Sequence, residues 1–438
     1  MTTPILRASP PAPAPVRATA LAIVLATFGG AAWAQSPACT HTAGVVVELT
    51  GAAGRFGQAA SKSIELAFNE LNKAAGAPGI AGCRLAFDLR DSQSQGSVAV
   101  DQARQLVDLK KVPVLLGGII SSVSIPIATS VTAPAGVVQI SPASTSPTLT
   151  KLGAEGKTNG WFFRTITSDA LQGTAAAKYA MDSGMTNLSV IHVNNDFGVN
   201  MFAEFRRAYE ALGGKIAAAT PYNPQQPSYA AEVTNALKPN APALYFIGYP
   251  GDGTTIVRTW VQQGGPQRFL FNDGMNAAEF IKGVGPQFLN DKAFGTSSGT
   301  TRTPSTEFFA TAYPAMSGGF DAGAPAADRA FDAAAILGLA VAHAGKFEAA
   351  AIRDSIRKVT EPGGEVVHAG PQGFARALAL IREKKPVRYV GVIGPVAFDR
   401  NGDIVGPFRT WKIAGGEVAT VGQMSMEDVQ AVQAKLPR

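Results

Sequence analysis

Short uninterrupted apolar runs alternate along this chain with longer segments that carry one apolar face. The runs at 45–49, 85–89, 114–116 and 137–140 predict buried strands. Between the first of these, residues 59–74 place Ile64, Leu66, Ala67, Phe68 and Leu71 at helical spacing, and residues 97–109 do the same with Val98, Val100, Ala103, Leu106 and Val107. Glycine and small polar residues punctuate the joints, as in the glycine-rich loop at 50–57 and the turn at 78–82. Strand and helix alternating at short intervals predict a doubly wound α/β lobe.

The pattern then restarts. Residues 161–165 read as a strand leaving the first lobe. Helices are expected at 173–183, 201–212, 229–237 and 254–264, with strands at 188–193, 243–247 and 269–271. Gly213-Gly214 stops the second of those helices. Further strands are expected at 293–295, 389–398 and 408–413, and helices at 304–313, 327–344 and 350–360. No short repeat of fixed period is present; what recurs is the plan of a lobe.

At 438 residues the chain is too long for one ordinary core. Hydrophobic residues at 46% and charged residues at 16% describe a globular chain. The net charge of +6 is dispersed, which argues against a nucleic-acid surface. The N-terminus looks like an export signal: Arg7 and Arg17 without acids, an apolar stretch at 18–28, and Ala32-Trp33-Ala34 before Gln35. Cleavage after Ala34 takes the net charge from +6 to +4. Gly29 and Gly30 cut the apolar stretch short of a membrane span. The two cysteines, Cys39 and Cys83, each precede an expected strand. If those strands are parallel neighbours, both sit at one sheet edge and form a candidate disulfide. The rival reading, a lipid anchor at Cys39, is poorly served by Ser36-Pro37-Ala38.

Catalytic patterns are weak. Gly295-Thr296-Ser297-Ser298-Gly299 matches a nucleophile elbow, but Thr300-Thr301-Arg302-Thr303-Pro304 cannot supply the helix that must follow. The four histidines are scattered without metal-ligand spacing, and His192 reads as a packing residue inside a strand. No phosphate loop occurs, and 248–253 lacks the dinucleotide order of glycines. No cofactor and no catalytic set is expected.

Two consecutive expected strand ends carry hydroxyls instead: Ser121 and Ser122 after Gly117-Gly118, then Ser144 and Thr145 in the loop at 141–148. Ligands bind outside the carboxyl ends of strands in open α/β sheets. Hydroxyls and helix N-termini there suit a carboxylate, although hydroxyls also serve as helix caps. In the second lobe Phe197, Tyr249 and Asp273 end three expected strands. An anion facing a hydroxyl and N–H cluster suits a zwitterion.

At these positions the sequence resembles the type I periplasmic solute-binding proteins of ABC transporters, in particular the leucine/isoleucine/valine-binding group. The resemblance is carried by Leu49-Thr50-Gly51 with Phe56-Gly57, Gly117-Gly118 with Ser121-Ser122, and Ile140-Ser141-Pro142-Ala143-Ser144-Thr145. Phe163-Arg164-Thr165, Ser168-Asp169, Gln172-Gly173, Asn195-Asp196-Phe197-Gly198, Gly248-Tyr249, Phe398-Asp399 and Asn401-Gly402-Asp403 continue it in order. It implies two Rossmann-like lobes, 35–163 with 297–395 and 164–296 with 396–438, joined by three crossovers that close as a hinge. It implies that Ser121, the Ala143 carbonyl and Thr145 hold an α-carboxylate and α-ammonium, with Asp273 as the ammonium's counter-charge and Phe56, Phe197 and Tyr249 around the side chain. Ser122 and Ser144 complete the expected set. Asp273 is shorter than the glutamate of branched-chain binders, and Ile120 stands where a cysteine is familiar, which again pairs Cys39 with Cys83.

The resulting expectation is a monomeric, extracytoplasmic, non-enzymatic receptor that passes an amino acid to an ABC permease. The alternatives are a receptor for a non-amino carboxylate such as an aromatic acid, a ligand-sensing module, and a secreted hydrolase. The last lacks any nucleophile–base set.

Overall fold

The first lobe grows from β1 (Thr40–Val47), where Val45, Val46 and Val47 are fully buried. In the computed structural model, which describes residue 1, residues 9–12 and residues 39–436, four more strands follow. They are β2 (Arg84–Asp91), β3 (Val114–Gly117), β4 (Val138–Ser141) and β5 (Phe162–Arg164). The strand order is β2-β1-β3-β4-β5, and every pairing is parallel. The order reverses between β1 and β3, so the crevice of an open α/β sheet falls at their carboxyl ends. Apart from residue 1 and residues 9–12, the expected export segment at 1–34 lies outside the described residues.

The second sheet repeats the plan with β6 (Asn187–Val193), β7 (Lys215–Tyr222), β8 (Leu244–Ile247), β9 (Phe269–Phe271) and β10 (Ala293–Ser298). A small three-stranded sheet of β11 (Glu365–His368), β12 (Val387–Gly391) and β13 (Gly394–Pro395) follows. Then β14 (Phe408–Ala414) and β15 (Glu417–Met424) join the second sheet as antiparallel strands, giving the order β15-β14-β10-β9-β8-β6-β7. Its own reversal lies between β6 and β8.

Several expected elements shift in informative ways. The helix expected at 59–74 is Gly54–Ala75, so Phe56 stands in its first turn rather than in a loop. This early start brings Gly57 against the backbone of Glu48, where a Cβ would overlap the Glu48 carbonyl oxygen. In the same way the helices expected at 201–212 and 254–264 begin at Asp196 and Pro250, directly after their strands. Asn195 caps the first through its side chain, and Pro250 sits at the first helical position of the second, where its missing N–H costs nothing. The strand expected at 389–398 breaks into β12 and β13. β7 and β15 were not expected at all. Both are edge strands with half-exposed, mixed faces, so they carry no continuous apolar run.

The chain passes between the two sheets three times, after β5, after β10 and after β13. β5 ends at Arg164 and β10 runs to Ser298, one and two residues beyond the expected divisions at 163 and 296. The three passages are tied together: Thr167 pairs with Ile404, and the Thr165 hydroxyl donates to the Arg329 carbonyl at 2.9 Å. The helix Ala327–Ala344 packs on Gly54–Ala75, with Gly338 giving room for Leu71. No single helix among the described residues is long and apolar enough to cross a membrane.

β1 and β2 pair along their whole length, from Thr40 with Arg84 to Val47 with Asp91. Cys39 and Cys83 therefore precede paired residues, and they form a disulfide with Cα atoms 4.9 Å apart. The bridge closes a loop of 44 residues and anchors the start of the first sheet. Replacing both cysteines by serine is expected to lower unfolding stability by roughly 2–4 kcal/mol in denaturant titration. Free thiols in the exported, oxidised protein would show instead that the bridge does not form.

Candidate functional site

Both strand-order reversals face the same cleft. Residues that follow β1, β3 and β4 meet residues that follow β6, β8 and β9 around a cavity of about 220 Å³. Contacts cross its mouth: the Asn200 amide donates to the Thr148 hydroxyl at 3.4 Å, and the Phe56 ring lies beside Gly274.

The first-lobe wall is a loop pair held from behind. Glu48, fully buried at the end of β1, accepts the N–H of Ile119 at 2.9 Å and of Ile120 at 3.2 Å. That fixes the chain entering Ser121, which lines the cavity. The Gly118 carbonyl accepts the hydroxyls of Ser124 and Ser141 at 3.0 and 2.7 Å, and so locks the β3 loop to the β4 loop. The Ser121 hydroxyl accepts the Ser146 N–H at 3.1 Å, closing the second link between the loops. Thr145 donates its hydroxyl to Asp169 at 2.7 Å, which leaves the oxygen's lone pairs for a donor. The amide N–H groups of Ser121 and Thr145 and the carbonyl of Ala143 have no partner among the described residues. Ser121, Ala143 and Thr145 all line the cavity.

The opposite wall comes from the second lobe. Asn195 accepts the N–H groups of Phe197 and Gly198 at 3.1 and 3.0 Å, and its amide donates to the Tyr249 hydroxyl at 3.2 Å. Phe197 and Tyr249 stack with ring centres 5.6 Å apart. Asn272 clips β9 to the end of β8 through Gly248, accepting its N–H at 2.9 Å and donating to its carbonyl at 3.2 Å. It also donates to Asp273 at 3.2 Å. Asp273 has no ion-pair partner among the described residues, and burial raises its carboxyl above the usual range. A cation placed against it would reverse that shift.

Of the nine expected residues, Phe56, Ser121, Ala143, Thr145, Phe197, Tyr249 and Asp273 line this one cavity. Ser122 and Ser144 do not. Ser122 lies one step further round its helix, with its carbonyl against Gly96 of the neighbouring helix. Ser144 is fully buried behind the wall and spends its hydroxyl on Ser124 at 2.6 Å and the Ile119 carbonyl at 3.1 Å. It braces the cradle instead of facing the cavity.

Sequence reasoning missed four contributors. Glu48 read as part of a strand. Asp169, fully buried behind Thr145, has its carboxyl pushed well up by burial and by nearby Asp273. Arg329 and Arg409 also line the cavity, at the end where the chain passes between lobes. Nothing in the sequence around Arg329, in an Ala-rich helix, or Arg409, in a terminal strand, marks them. The Gly295–Gly299 pattern forms no nucleophile elbow: Ser297 lies inside β10, paired with Arg409. His192 stacks on Phe202 in the second-lobe core, as a packing residue.

Comparison with known proteins agrees with this arrangement. A family model described as periplasmic binding protein matches residues 40–400. The Leu/Ile/Val-binding protein homolog 1 of Brucella suis biovar 1 (strain 1330) is 29% identical over 269 residues, covering 61% of this chain and 68% of that protein. A leucine-binding protein LivK from Thermotoga maritima MSB8 superimposes with a TM-score of 0.74 at 23% identity, covering 88% of this chain and 99% of that one. A solute-binding protein of an ABC transporter from R. palustris, in complex with benzoate, gives 0.70 at 14% identity over 88% and 97% of the two chains.

Burial raises the Glu48 carboxyl from 4.5 to about 7, and the two backbone N–H bonds only partly offset it. Between those values the folded chain holds a proton that the unfolded chain has released, so Glu48 makes stability fall as pH rises from about 4.5 to about 7. Asp332, raised to about 7 by burial beneath β12, acts in the same direction. Denaturant titrations across pH 4–8 are expected to show this fall, and Glu48→Gln is expected to make it shallower. An unchanged slope would remove Glu48 as its source.

Proposed function

We propose, from the premise that the chain belongs to the periplasmic binding protein family, that it is the extracytoplasmic receptor of an ABC importer and binds an amino acid between its lobes. One observation carries the reading: among the described residues, the cavity sets N–H donors and a carbonyl without partners on one wall against a buried carboxyl without an ion pair on the other. A zwitterion satisfies both at once, because its carboxylate accepts and its ammonium donates. The Ser121 and Thr145 amides receive the carboxylate. The Ala143 carbonyl, the Thr145 oxygen and Asp273 receive the ammonium. Phe56, Phe197 and Tyr249 stand around the side chain.

In this reading the lobes are 35–163 with 297–395 and 164–296 with 396–438. They swing about the three passages, and the closed form, signalled by Asn200 on Thr148, is what a monomeric receptor presents to its permease. Export by the segment at 1–34, with cleavage after Ala34, delivers the chain to that compartment. A second reading rests on the aromatic wall, which also suits an aromatic acid of the kind bound by the R. palustris relative.

Melting temperature measured against a panel of amino acids and of aromatic and aliphatic acids separates the two readings. A ligand at a hundred times its dissociation constant adds about 2.7 kcal/mol to stability. Amino acids are expected to raise the melting temperature, whereas stabilisation by amine-free carboxylates alone would sink the proposal. Asp273→Asn is expected to weaken amino-acid binding roughly a hundredfold or more, since it strands a desolvated ammonium. Isothermal titration would show this directly, and an unchanged affinity would take Asp273 out of the site.

A further inference from the structure

The cradle and Asp273 account for one end of the cavity. The other end, where the chain passes between lobes, is formed by Ser297, Ser298, Asp328, Arg329 and Arg409. Two guanidinium groups in a small amino-acid cavity require an explanation.

Arg329 is almost entirely committed. Its Nη1 pairs with Asp328 at 2.7 Å, and its Nη2 donates to the carbonyls of Ser298 and Gly299 at 3.0 and 3.2 Å. It pins the end of β10 to the helix Ala327–Ala344 and uses up Asp328 in doing so. Only its Nε remains buried without a partner. Arg409 differs. Its Nε makes one long hydrogen bond, 3.3 Å, to the Ser297 hydroxyl. It has no ion pair among the described residues, and its Nη groups have no hydrogen-bond partner there. The buried arginines Arg329 and Arg164 are spent on carbonyls and carboxylates, whereas half-buried Arg409 is not. Partial burial disfavours the charge on Arg409, and nearby Asp328 offsets this only in part against the repulsion of Arg329, yet a guanidinium does not give up its proton in proteins. Among the described residues the acids lining this cavity are Asp328, bonded to Arg329, and Asp273, which a ligand ammonium would occupy. The helix Ala327–Ala344 also begins here with no side-chain cap, so its N-terminal end adds positive potential.

We infer that Arg409 is a second anion-recognition point and that the amino acid bound here carries a distal acidic group, as glutamate and its longer homologues do. The inference rests on the amino-acid reading of the cradle and names the ligand class within it. A branched aliphatic side chain would leave the fork of Arg409 against methyl groups with its water removed, which is unfavourable. A distal carboxylate accepts it in the two-pronged geometry that guanidinium and carboxylate share.

The test is isothermal titration of the exported protein with L-glutamate, L-2-aminoadipate, L-glutamine and L-leucine, repeated for Arg409→Gln and Arg409→Lys. At least one acid is expected to bind about tenfold or more tighter than both glutamine and leucine, the size of a lost buried charge contact. Arg409→Gln is expected to collapse that preference, and Arg409→Lys to keep part of it. The melting temperature of each unliganded variant shows whether it folds, and the ligand ranking on the unaltered protein decides the matter even where a variant does not. Leucine or glutamine binding as tightly as both acids would overturn the inference and leave the amino-acid reading standing. Stabilisation by aromatic acids with no response to any amino acid would overturn both.

Discussion

Arg164 is the interaction on which the geometry of the cleft depends. It is fully buried at the end of β5, and its guanidinium joins the cradle stretch at 144–150 to Asp403, 239 residues away. Its Nε pairs with Asp403 at 2.6 Å, its Nη1 donates to the carbonyls of Ser144 and Ser146, each at 3.1 Å, and its Nη2 donates to the Thr150 hydroxyl at 2.7 Å. The Thr150 hydroxyl donates to the other Asp403 oxygen at 2.6 Å. The backbone adds a further tie, from the Arg164 N–H to the Gly402 carbonyl at 3.0 Å. A buried ion pair is weak evidence of stability, because removing two charges from water offsets most of their attraction. What it does supply is position. The carbonyls of Ser144 and Ser146 bracket Thr145, so the arginine holds the cradle loop while Asp403 holds the last passage between the lobes. The wall of the cavity and the hinge are one hydrogen-bonded unit.

That coupling explains which parts of the molecule the sequence disclosed. The strands nearest the centre of each sheet are continuous apolar runs, and Val45–Val47, Leu115–Leu116 and Phe246–Ile247 could be read directly. The ends of those strands could be read too, because small and hydroxylated residues stand where a chain must turn beside a ligand. Periodicity does not say which way a hydroxyl points. Ser144 and Thr145 are adjacent and chemically alike, yet one braces the loop from behind and the other faces the cavity. Nor could it reveal Arg164 with Asp403, which lie 239 residues apart, or Thr145 with Asp169. Those pairings follow from the way the chain crosses between lobes, a tertiary fact without a local signature. Edge strands such as β7 failed for a related reason: half their side chains are solvated, so they satisfy no simple pattern.

The electrostatics of the site follow from the same burial. Glu48, Asp169 and Asp273 are three carboxyl groups around one small cavity, and burial raises each of them. Their environments separate their roles. Glu48 accepts two backbone N–H groups and orients the chain at Ile119 and Ile120. Asp169 accepts one hydroxyl and lies behind Thr145, where burial and then the nearby Asp273 push its carboxyl well up. Of the three, Asp273 faces the cavity, and the Asn272 amide donates to it at 3.2 Å. It is therefore the carboxylate whose charge a bound cation would restore. Crowding three full negative charges around one small cavity is unfavourable, so a cation bound against Asp273 relieves both its desolvation and its repulsion from Asp169.

The two arginines complete this arrangement at the hinge end. Arg329 belongs to the scaffold, since its donors are consumed by the end of β10 and by Asp328. Arg409 follows the last passage by a few residues, on a strand that pairs with β10 at Ser297. Both strands of that pairing belong to the second sheet, whereas the cradle follows strands of the first. A ligand gripped by the cradle at one end and by Arg409 at the other would bridge the lobes twice, once through Asp273 and once through the hinge floor. Each bridge forms only when the cleft is shut, so its free energy favours the closed state rather than binding alone. A ligand that lacked the distal anion would make only one of the two, and would close the lobes less completely at the same occupancy of the cradle. Selectivity in this fold thus does not require that poor ligands be excluded from the cradle. It is enough that they fail to hold the lobes together.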